Sequence, residues 1–387
     1  MRPARVAFIG QRGVPATIGG IEHHVEEIGS RLVERGHEVT VYTRANYTVD
    51  RVAEHRGMRV RYIPTAPTKH LEALVHSGLS TGVAMLPSAH RADILHYHAI
   101  GPSIFTPFPR ALTRRGVVLT IHGLDYERDK WGIGARTALK SAAWISAHVP
   151  HATITVSKSL ADFYLTRYGR HAHYIPNGVA PPVRCAPRLI TQRFGLQGGD
   201  YALFLGRLVP EKAPDLLVRA FRNVDTTARL VIAGGSSFTD QYVHELEVLA
   251  ARDPRVLLVG SVHGELLHEL YTNASLFVLP SRLEGLALTL LEAASYRLPL
   301  VTSDIAPNRE VLEDDGPGRR MFASGDAAGL TAALTATFGS LPAACAAAGE
   351  LGDRVVREYN WDAATSATED VYEQVLRRSG AARDRLH

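Results

Sequence analysis

The chain has 387 residues, room for two or three domains at about 150 residues each. Hydrophobic residues at 45% and charged residues at 21% fit an ordinary globular protein, and no apolar run reaches the ~18 residues of a membrane-spanning helix. Residues 1–183 hold 22 Lys and Arg against 13 Asp and Glu, the remainder 21 against 26, so the net charge of +4 conceals a basic first part and an acidic second one.

The N-terminus enters directly into a strand-like run, Val6–Gly10, with no basic segment leading into a long apolar one, so a signal peptide is not expected. A glycine-rich loop, Gln11–Gly20, follows. Ile21–Arg35 reads as a helix because Ile21, Val25, Ile28 and Leu32 recur three to four residues apart. Gly36 stops it and Glu38–Thr43 is the next strand. A strand–helix–strand unit of this kind implies a parallel sheet. The alternation continues with strands at Arg59–Ile63, Ile94–His98, Val117–His122, Thr153–Ser157 and His173–Ile175, and helices at Lys69–Leu86 and Ala135–His148. Residues 180–188 carry three prolines and read as an interdomain linker.

The second half repeats the pattern. Strands are expected at Tyr201–Leu205, Leu230–Ala233, Val256–Val259, Leu276–Leu279 and Leu300–Val301. Helices are expected at Lys212–Phe221, Gln241–Ala251, Glu265–Tyr271, Leu286–Tyr296, Ala327–Phe338 and Ala363–Arg377. The fold class is therefore α/β, two Rossmann-like domains facing across a cleft, with ligands at the C-terminal ends of both sheets. The expected domains are 1–183, 184–360, and a C-terminal segment 361–387 that crosses back to the first domain.

Four segments carry chemistry. In Leu279-Pro280-Ser281-Arg282-Leu283-Glu284-Gly285-Leu286-Ala287, a strand ends, a turn delivers Glu284, and the amides of Gly285 and Leu286 open a helix, an arrangement suited to an anion. Glu292 follows eight residues later, about 12 Å along a helix axis, so the two glutamates would bracket a sugar diphosphate. In Gly206-Arg207-Leu208-Val209-Pro210-Glu211-Lys212, Arg207 and Lys212 sit just past the first strand of the second half, where phosphates bind. Gly19 and Gly20 before the first helix permit close backbone approach, although the loop is neither G-x-G-x-x-G nor a P-loop. In Thr120-Ile121-His122-Gly123-Leu124-Asp125, His122 is placed to bond a sugar hydroxyl and Asp125 to bind an acceptor, with His98 a weaker second histidine.

Other chemistries lack their signals. No Asp-x-Asp indicates a Mg²⁺ or Mn²⁺ site, and Glu313-Asp314-Asp315 reads as an acidic turn. No Cys/His spacing suggests zinc and no Gly-x-Ser-x-Gly suggests a hydrolase. Neither a metal nor a cofactor is expected. Two cysteines, Cys185 and Cys345, form no pattern, and a reducing cytoplasm is the simplest compartment. The basic first part suits an anionic partner or is plain surface charge, and no recognised module points to nucleic acid. Apolar residues beside basic ones in Lys69–Leu86 and in Phe105–Arg115 suggest contact with an anionic membrane, or a packed core with charge around it.

Together the four segments resemble the retaining glycosyltransferases of family 4, also called glycosyl transferases group 1, over nearly the whole chain. That family usually reads Glu-Gly-Phe-Gly where this chain has Glu284-Gly285-Leu286-Ala287. At a finer level Gly10-Gln11-Arg12-Gly13-Val14-Pro15 and His122-Gly123-Leu124-Asp125 resemble bacterial transferases of capsule or cell-surface polysaccharide assembly, including rhamnosyltransferases. The resemblance implies a GT-B fold and transfer of a hexose or deoxyhexose from a nucleoside-diphosphate sugar to a glycan or lipid-linked acceptor, without a metal and with retained configuration. Arg207 and Lys212 would hold the donor diphosphate, Glu284 with the amides of Gly285 and Leu286 the donor sugar, and Glu292 the ribose. Gly19 and Gly20 would approach the phosphates and His122 the donor sugar near the reacting carbon. A sugar-nucleotide epimerase and a non-catalytic sugar-nucleotide-binding protein remain as alternatives.

Overall fold

The structure, a computed structural model, describes residues 2–17, 19–48, 50–66, 72–86, 91–124, 133–236 and 239–379, with the backbone alone over 133–139. The chain divides into two compact units, Met1–Asn177 with Trp361–His387, and Gly178–Asn360.

In the first unit the parallel strands are β1 (Arg5–Ile9), β2 (Glu38–Arg44), β4 (Met58–Ile63), β5 (Ile94–His98), β6 (Gly116–Ile121), β7 (Ala152–Thr155) and β8 (His173–Tyr174). A two-residue strand β3 (Glu54–His55) runs antiparallel to β4 at the edge. The sheet order is β3-β4-β2-β1-β5-β6-β7-β8. Strands β1, β5 and β6 are buried on both faces, which explains why they read as continuous apolar runs rather than as alternation. Helices α1 (Gly20–Glu34), α2 (Glu72–Met85), α3 (Pro107–Leu112), α4 (Ile133–His148) and α5 (Lys158–Tyr168) make the connections, with a 3₁₀ turn, Gly101–Phe105, ahead of α3.

The second unit opens with a short helix, α6 (Leu189–Phe194), and holds six parallel strands: β9 (Tyr201–Leu205), β10 (Arg229–Ala233), β11 (Val256–Gly260), β12 (Leu276–Leu279), β13 (Leu300–Ser303) and β14 (Arg319–Phe322). Their order is β11-β10-β9-β12-β13-β14. Between them lie α7 (Pro214–Phe221), α8 (Asp240–Ala250), α9 (Glu265–Asn273), α10 (Leu288–Ser295) and α11 (Ala306–Leu312), and after them α12 (Ala327–Gly339) and α13 (Leu341–Glu358). Phe204, Leu217, Phe221, Ile232, Val278 and Leu330 meet in its core.

Counted within its own domain, the second sheet reads 3-2-1-4-5-6 and the first 3-2-1-4-5-6-7 across its parallel strands, the dinucleotide-fold order with one strand added at the edge of the first. The order reverses between β1 and β5 in the first sheet and between β9 and β12 in the second. Those two crevices are where an open parallel sheet takes ligands.

The last helix, α14 (Trp361–Ser379), belongs to the first unit. It packs on α1 and β6. Glu369 accepts from Arg35 at 2.5 Å and pairs with His37 at 2.9 Å, and Tyr372 bonds His96 at 2.6 Å.

Several sequence expectations need correction. Residues 180–188 are no free linker: they are tied to the second unit by Val183 to Tyr296 Oη, Arg184 to the Tyr296 carbonyl and Cys185 to Thr272. Helix α10 starts at Leu288 rather than Leu286, so Gly285 and Leu286 lie in the preceding turn. The 12 Å rise between Glu284 and Glu292 assumed continuous helix and does not apply. Helices α3, α5, α6, α11 and α13 and strands β3 and β14 were not anticipated. Among the described residues no single helix is long and apolar enough to cross a membrane.

Candidate active site

The crevice at β9/β12 is built from two loops. After β9, Gly206 and Arg207 lead into a 3₁₀ turn, Pro210–Lys212. After β12, the turn through Ser281 and Arg282 delivers Glu284. The Arg282 amide donates to the Glu211 carbonyl at 2.8 Å, fixing one loop against the other. Across that tie the Lys212 ammonium meets Glu284 Oε1 at 2.5 Å, with the two side chains only 14% and 7% exposed. The sequence singled out both residues, and the structure joins them in one ion pair. A charged pair placed there offers an ammonium to a phosphate oxygen and a carboxylate to a hydroxyl.

Three residues to which the sequence reading gave no role, Ser281, Ser303 and Asn308, hold this turn. Ser303 Oγ donates to the Ser281 carbonyl, and Asn308 Nδ2 donates to Ser303 O at 3.0 Å. All three side chains are buried, and Ser281 Oγ and Asn308 Oδ1 have no hydrogen-bond partner among the described residues. Only tertiary structure brings them together, since they lie on separate elements.

Gly234, at the end of β10, was missed as well. A Cβ there would lie 1.8 Å from the Gly206 carbonyl oxygen. Gly234→Ala is therefore expected to cost the second domain about 3 kcal/mol, whereas Gly206→Ala, whose Cβ meets Phe204 at 3.5 Å, is expected to be tolerated. Denaturant midpoints for the two variants check this, and equal midpoints would remove the close-approach argument.

Glu292, one turn into α10, accepts from Tyr271 Oη at 2.8 Å. Burial and the Glu292 charge hold the Tyr271 hydroxyl well above its ordinary pKa, so it stays a donor. Tyr271 stacks on Tyr296 with ring centroids 5.2 Å apart.

In the first domain the crevice at β1/β5 is equally close-packed. A Cβ on Gly10 would lie 2.5 Å from the His98 carbonyl oxygen. The loop after β1 is clamped by the first turns of α1: Glu22 Oε1 accepts from the Arg12 amide at 2.9 Å and Glu26 from the Ala16 amide at 2.6 Å. Gly19, at φ +107°, precedes the helix, and a Cβ there would meet Glu22 Oε2. Gly20 is the first helical residue, and it is exposed. Asp125 lies outside the described residues.

His122, just past β6, belongs to a histidine cluster. His98 Nδ1 and His122 Nε2 are 3.2 Å apart, His24 from α1 lies edge-on to His122 at 4.7 Å, and His96 stacks on His98 at 4.5 Å. His24 Nδ1 is bonded to Asn177 Oδ1 at 2.8 Å. Burial pushes His24 down to about 4, and burial with the neighbouring imidazoles holds His96, His98 and His122 well below the usual histidine range. All four are neutral at physiological pH and exchange hydrogen bonds rather than charge. Each of His24, His98 and His122 offers one nitrogen within 4.8 Å of the others, a spacing the sequence expectation of no metal-binding cluster did not foresee. Within it His98 and His122 share a hydrogen bond and His24 packs edge-on against both rings.

Comparison with known proteins follows the same division. Residues 18–181 match the family described as Glycosyltransferase Family 4, and residues 199–339 match Glycosyl transferases group 1. A D-inositol 3-phosphate glycosyltransferase from Xylanimonas cellulosilytica is 28% identical over 94% of this chain and 93% of its own length. A glycogen synthase from Mycobacterium tuberculosis is 28% identical over 95% and 94%. Among solved structures, sucrose-phosphate synthase from Thermosynechococcus elongatus superposes with a TM-score of 0.83 at 20% identity, covering 96% of this chain and 99% of that one. HepE from Anabaena, in complex with UDP and glucose, gives 0.80 at 17% identity, covering 96% and 100%. With two dinucleotide-type sheets in tandem and both family signatures, one on each, the chain belongs to the family 4, group 1 glycosyltransferases of GT-B fold.

Proposed function

We propose that this glycosyltransferase moves a hexose or deoxyhexose from a nucleoside-diphosphate sugar to an acceptor hydroxyl on a glycan or lipid-linked sugar, with retention of configuration, in cell-surface polysaccharide or glycoconjugate assembly. The observation that carries the reading is the Lys212–Glu284 pair at the switch point of the second sheet. A leaving nucleoside diphosphate gains negative charge as the glycosidic bond breaks, and Lys212 with Arg207 is placed to stabilise it. Glu284 with the amides of Gly285 and Leu286 orients the donor sugar, and Glu292, held by Tyr271, takes the ribose hydroxyls. For the first domain the proposal assigns Gly19 and Gly20 close backbone approach to a phosphate group, and His122 a hydrogen bond near the reacting carbon. A neutral imidazole suits that place, because an imidazolium would oppose the positive charge that develops on the sugar ring. Two lysine- and arginine-borne charges then do the work that a divalent cation does elsewhere, so no metal is required.

The relatives support a nucleotide-sugar donor: the Anabaena structure holds UDP and glucose, and a relative from Mycolicibacterium smegmatis bears the name of a GDP-mannose-dependent mannosyltransferase. The test is nucleoside diphosphate release from UDP-, dTDP- and GDP-sugars without added metal, with and without lipid-diphosphate sugar acceptors. Acceptor-dependent release from one donor, lost in Arg207→Ala, is the expected result. Acceptor-independent conversion of the sugar would make the protein an epimerase, and tight nucleotide binding without turnover on any acceptor would make it a binding protein. A product of inverted configuration would overturn retention.

A further inference from the structure

Three imidazoles converge beside the crevice where the first sheet reverses its strand order. His98 ends β5 and lies in register with Thr120 of β6, so the two side chains stand on one face of the sheet. His122 follows two residues after Thr120 and returns to that face, within hydrogen-bond reach of His98. Helix α1 lays His24 over the same face, its ring edge-on to both others at centroid distances of 5.5 Å to His98 and 4.7 Å to His122. His24 is 3% and His98 0% exposed, while His122 is half-buried, so the group is closed behind and opens at His122.

The hydrogen bonds decide which nitrogens are open. His24 Nδ1 donates to Asn177 Oδ1 at 2.8 Å, because an amide oxygen only accepts, and His24 Nε2 is left with its lone pair. His98 Nδ1 and His122 Nε2 stand 3.2 Å apart. Two nitrogens on a tetrahedral zinc ion, each about 2.0–2.1 Å from it, are separated by about 3.3 Å. One nitrogen from each of the three rings lies within 4.8 Å of the other two, so closing the remaining edges takes a shift of at most about 1.5 Å. His96, stacked on His98, is spent by contrast, with Nδ1 on Tyr372 at 2.6 Å and Nε2 on Thr120 at 2.7 Å. His98 Nε2 is buried and has no hydrogen-bond partner among the described residues, so no such pair fixes the tautomer of that ring.

The donor set selects the ion. The group is three imidazoles with no carboxylate and no thiol. Imidazole suits borderline cations such as Zn²⁺, Ni²⁺ and Cu²⁺, whereas Mg²⁺ and Ca²⁺ take oxygen. Three protein nitrogens with one side open is the layout of a site whose fourth ligand exchanges. The Asn177 contact supplies the outer hydrogen bond that orients a ligating imidazole and sets its tautomer.

We propose that His24 Nε2, His98 Nδ1 and His122 Nε2 bind one zinc-class cation, with its fourth position open past His122, and that the bound ion reversibly blocks sugar transfer. The binding site stands on the geometry of the three rings alone. The blockade rests on the transferase reading given above: an ion on His122 immobilises that ring and sets two positive charges where positive charge develops on the sugar. The ion is thus a regulator of the reaction and takes no part in it.

Titration of the full chain with Co²⁺, after removal of any metal with a chelator, tests the site, because the visible absorption of Co²⁺ is strong in tetrahedral and weak in octahedral coordination. One equivalent should give the strong band, and one equivalent of Zn²⁺ should abolish it. The band should be lost in His24→Gln and in His122→Asn, and Asn177→Ala should weaken binding about tenfold by releasing the His24 ring. His244→Gln, on an exposed stretch of α8, should leave it unchanged. His122 is half-buried, so its replacement keeps the test open if His24→Gln does not fold. No tetrahedral band, or a band that survives in either folded variant, overturns the site. With a donor that the enzyme turns over, saturating Zn²⁺ should suppress turnover by about 10²-fold and a chelator should restore it. Unchanged turnover in the zinc-loaded protein overturns the blockade. Silence on every donor, with the Co²⁺ band present, counts against the transferase reading and upholds the site.

Discussion

Lys212→Ala is expected to lower turnover by about 10²–10³-fold and to destabilise the second domain, whereas Glu284→Gln is expected to lower turnover as much with little loss of stability. The asymmetry follows from burial. The Glu284 carboxylate is 7% exposed, and its partner is the Lys212 ammonium at 2.5 Å. Removing the lysine strands a nearly buried carboxylate, and losses of about 3–5 kcal/mol are typical when one member of a fully buried pair is removed. With water reaching Lys212, about 2 kcal/mol is expected here. Glutamine keeps an acceptor for the ammonium and removes only the charge. The double variant should regain most of the stability and none of the activity. Denaturant midpoints and donor turnover for the three proteins check this, and a fully active, fully stable Lys212→Ala would remove the pair from the site.

Acid is expected to unfold the first domain well before the second. His24 and His76 are pushed down to about 4 and about 3 by burial, with the Arg44 charge adding to the effect on His76. His96, His98 and His122 are lowered as well. Each of these groups takes a proton more readily in the unfolded chain, near pH 6.5, than in the folded one. The stability they allow is therefore complete above pH 6.5 and is lost as the pH falls toward their folded values. At about 1.4 kcal/mol per unit, His24 alone accounts for roughly 3 kcal/mol over the drop from 6.5 to about 4. Among the described residues the second domain has no buried histidine. All three tryptophans, Trp131, Trp144 and Trp361, lie in the first unit, so their fluorescence follows that domain while circular dichroism follows both. The fluorescence midpoint should fall steeply from pH 7 to pH 5, and His76→Gln should flatten the slope. A fluorescence midpoint that does not change with pH would refute the account.

The strands were legible because a buried parallel strand is a short apolar run, and Ile94–His98, Tyr201–Leu205 and Leu276–Leu279 begin and end where the sequence placed them. Helix α5 was missed although its signals are present: Ser157 Oγ accepts from the Leu160 amide, and Gly169 ends it at φ +61°. Helix α13 was hidden for a different reason. Its buried stripe is Ala344, Ala348, Leu351, Gly352 and Val355, too small to register as an apolar face. It is small because neighbouring backbone is close: a Cβ on Gly352 would lie 2.6 Å from the Ala294 carbonyl of α10, and one on Gly318 2.6 Å from the Ala348 amide. The candidate site residues were legible one by one, as glutamate, lysine and arginine after strands. Their relationships were not. The Lys212–Glu284 pair spans 72 positions, and His24 reaches His98 and His122 from separate elements.

Helix α14 sets an order on synthesis. It fills the first domain with Trp361, Val371, Tyr372 and Val375, all nearly fully buried, and its Tyr372 completes the hydrogen bonding of His96 inside the sheet. Yet it leaves the ribosome only after the whole of Gly178–Asn360 has been made. At about 5–20 residues per second the first sheet waits on the order of ten to forty seconds for its last helix. During that interval the apolar groove between α1 and β6 is open, and the second domain, continuous in sequence, has everything it needs to fold. The domain that begins first is thus finished last, and the nascent chain is most exposed to chaperones and proteases through the half that carries its N-terminus.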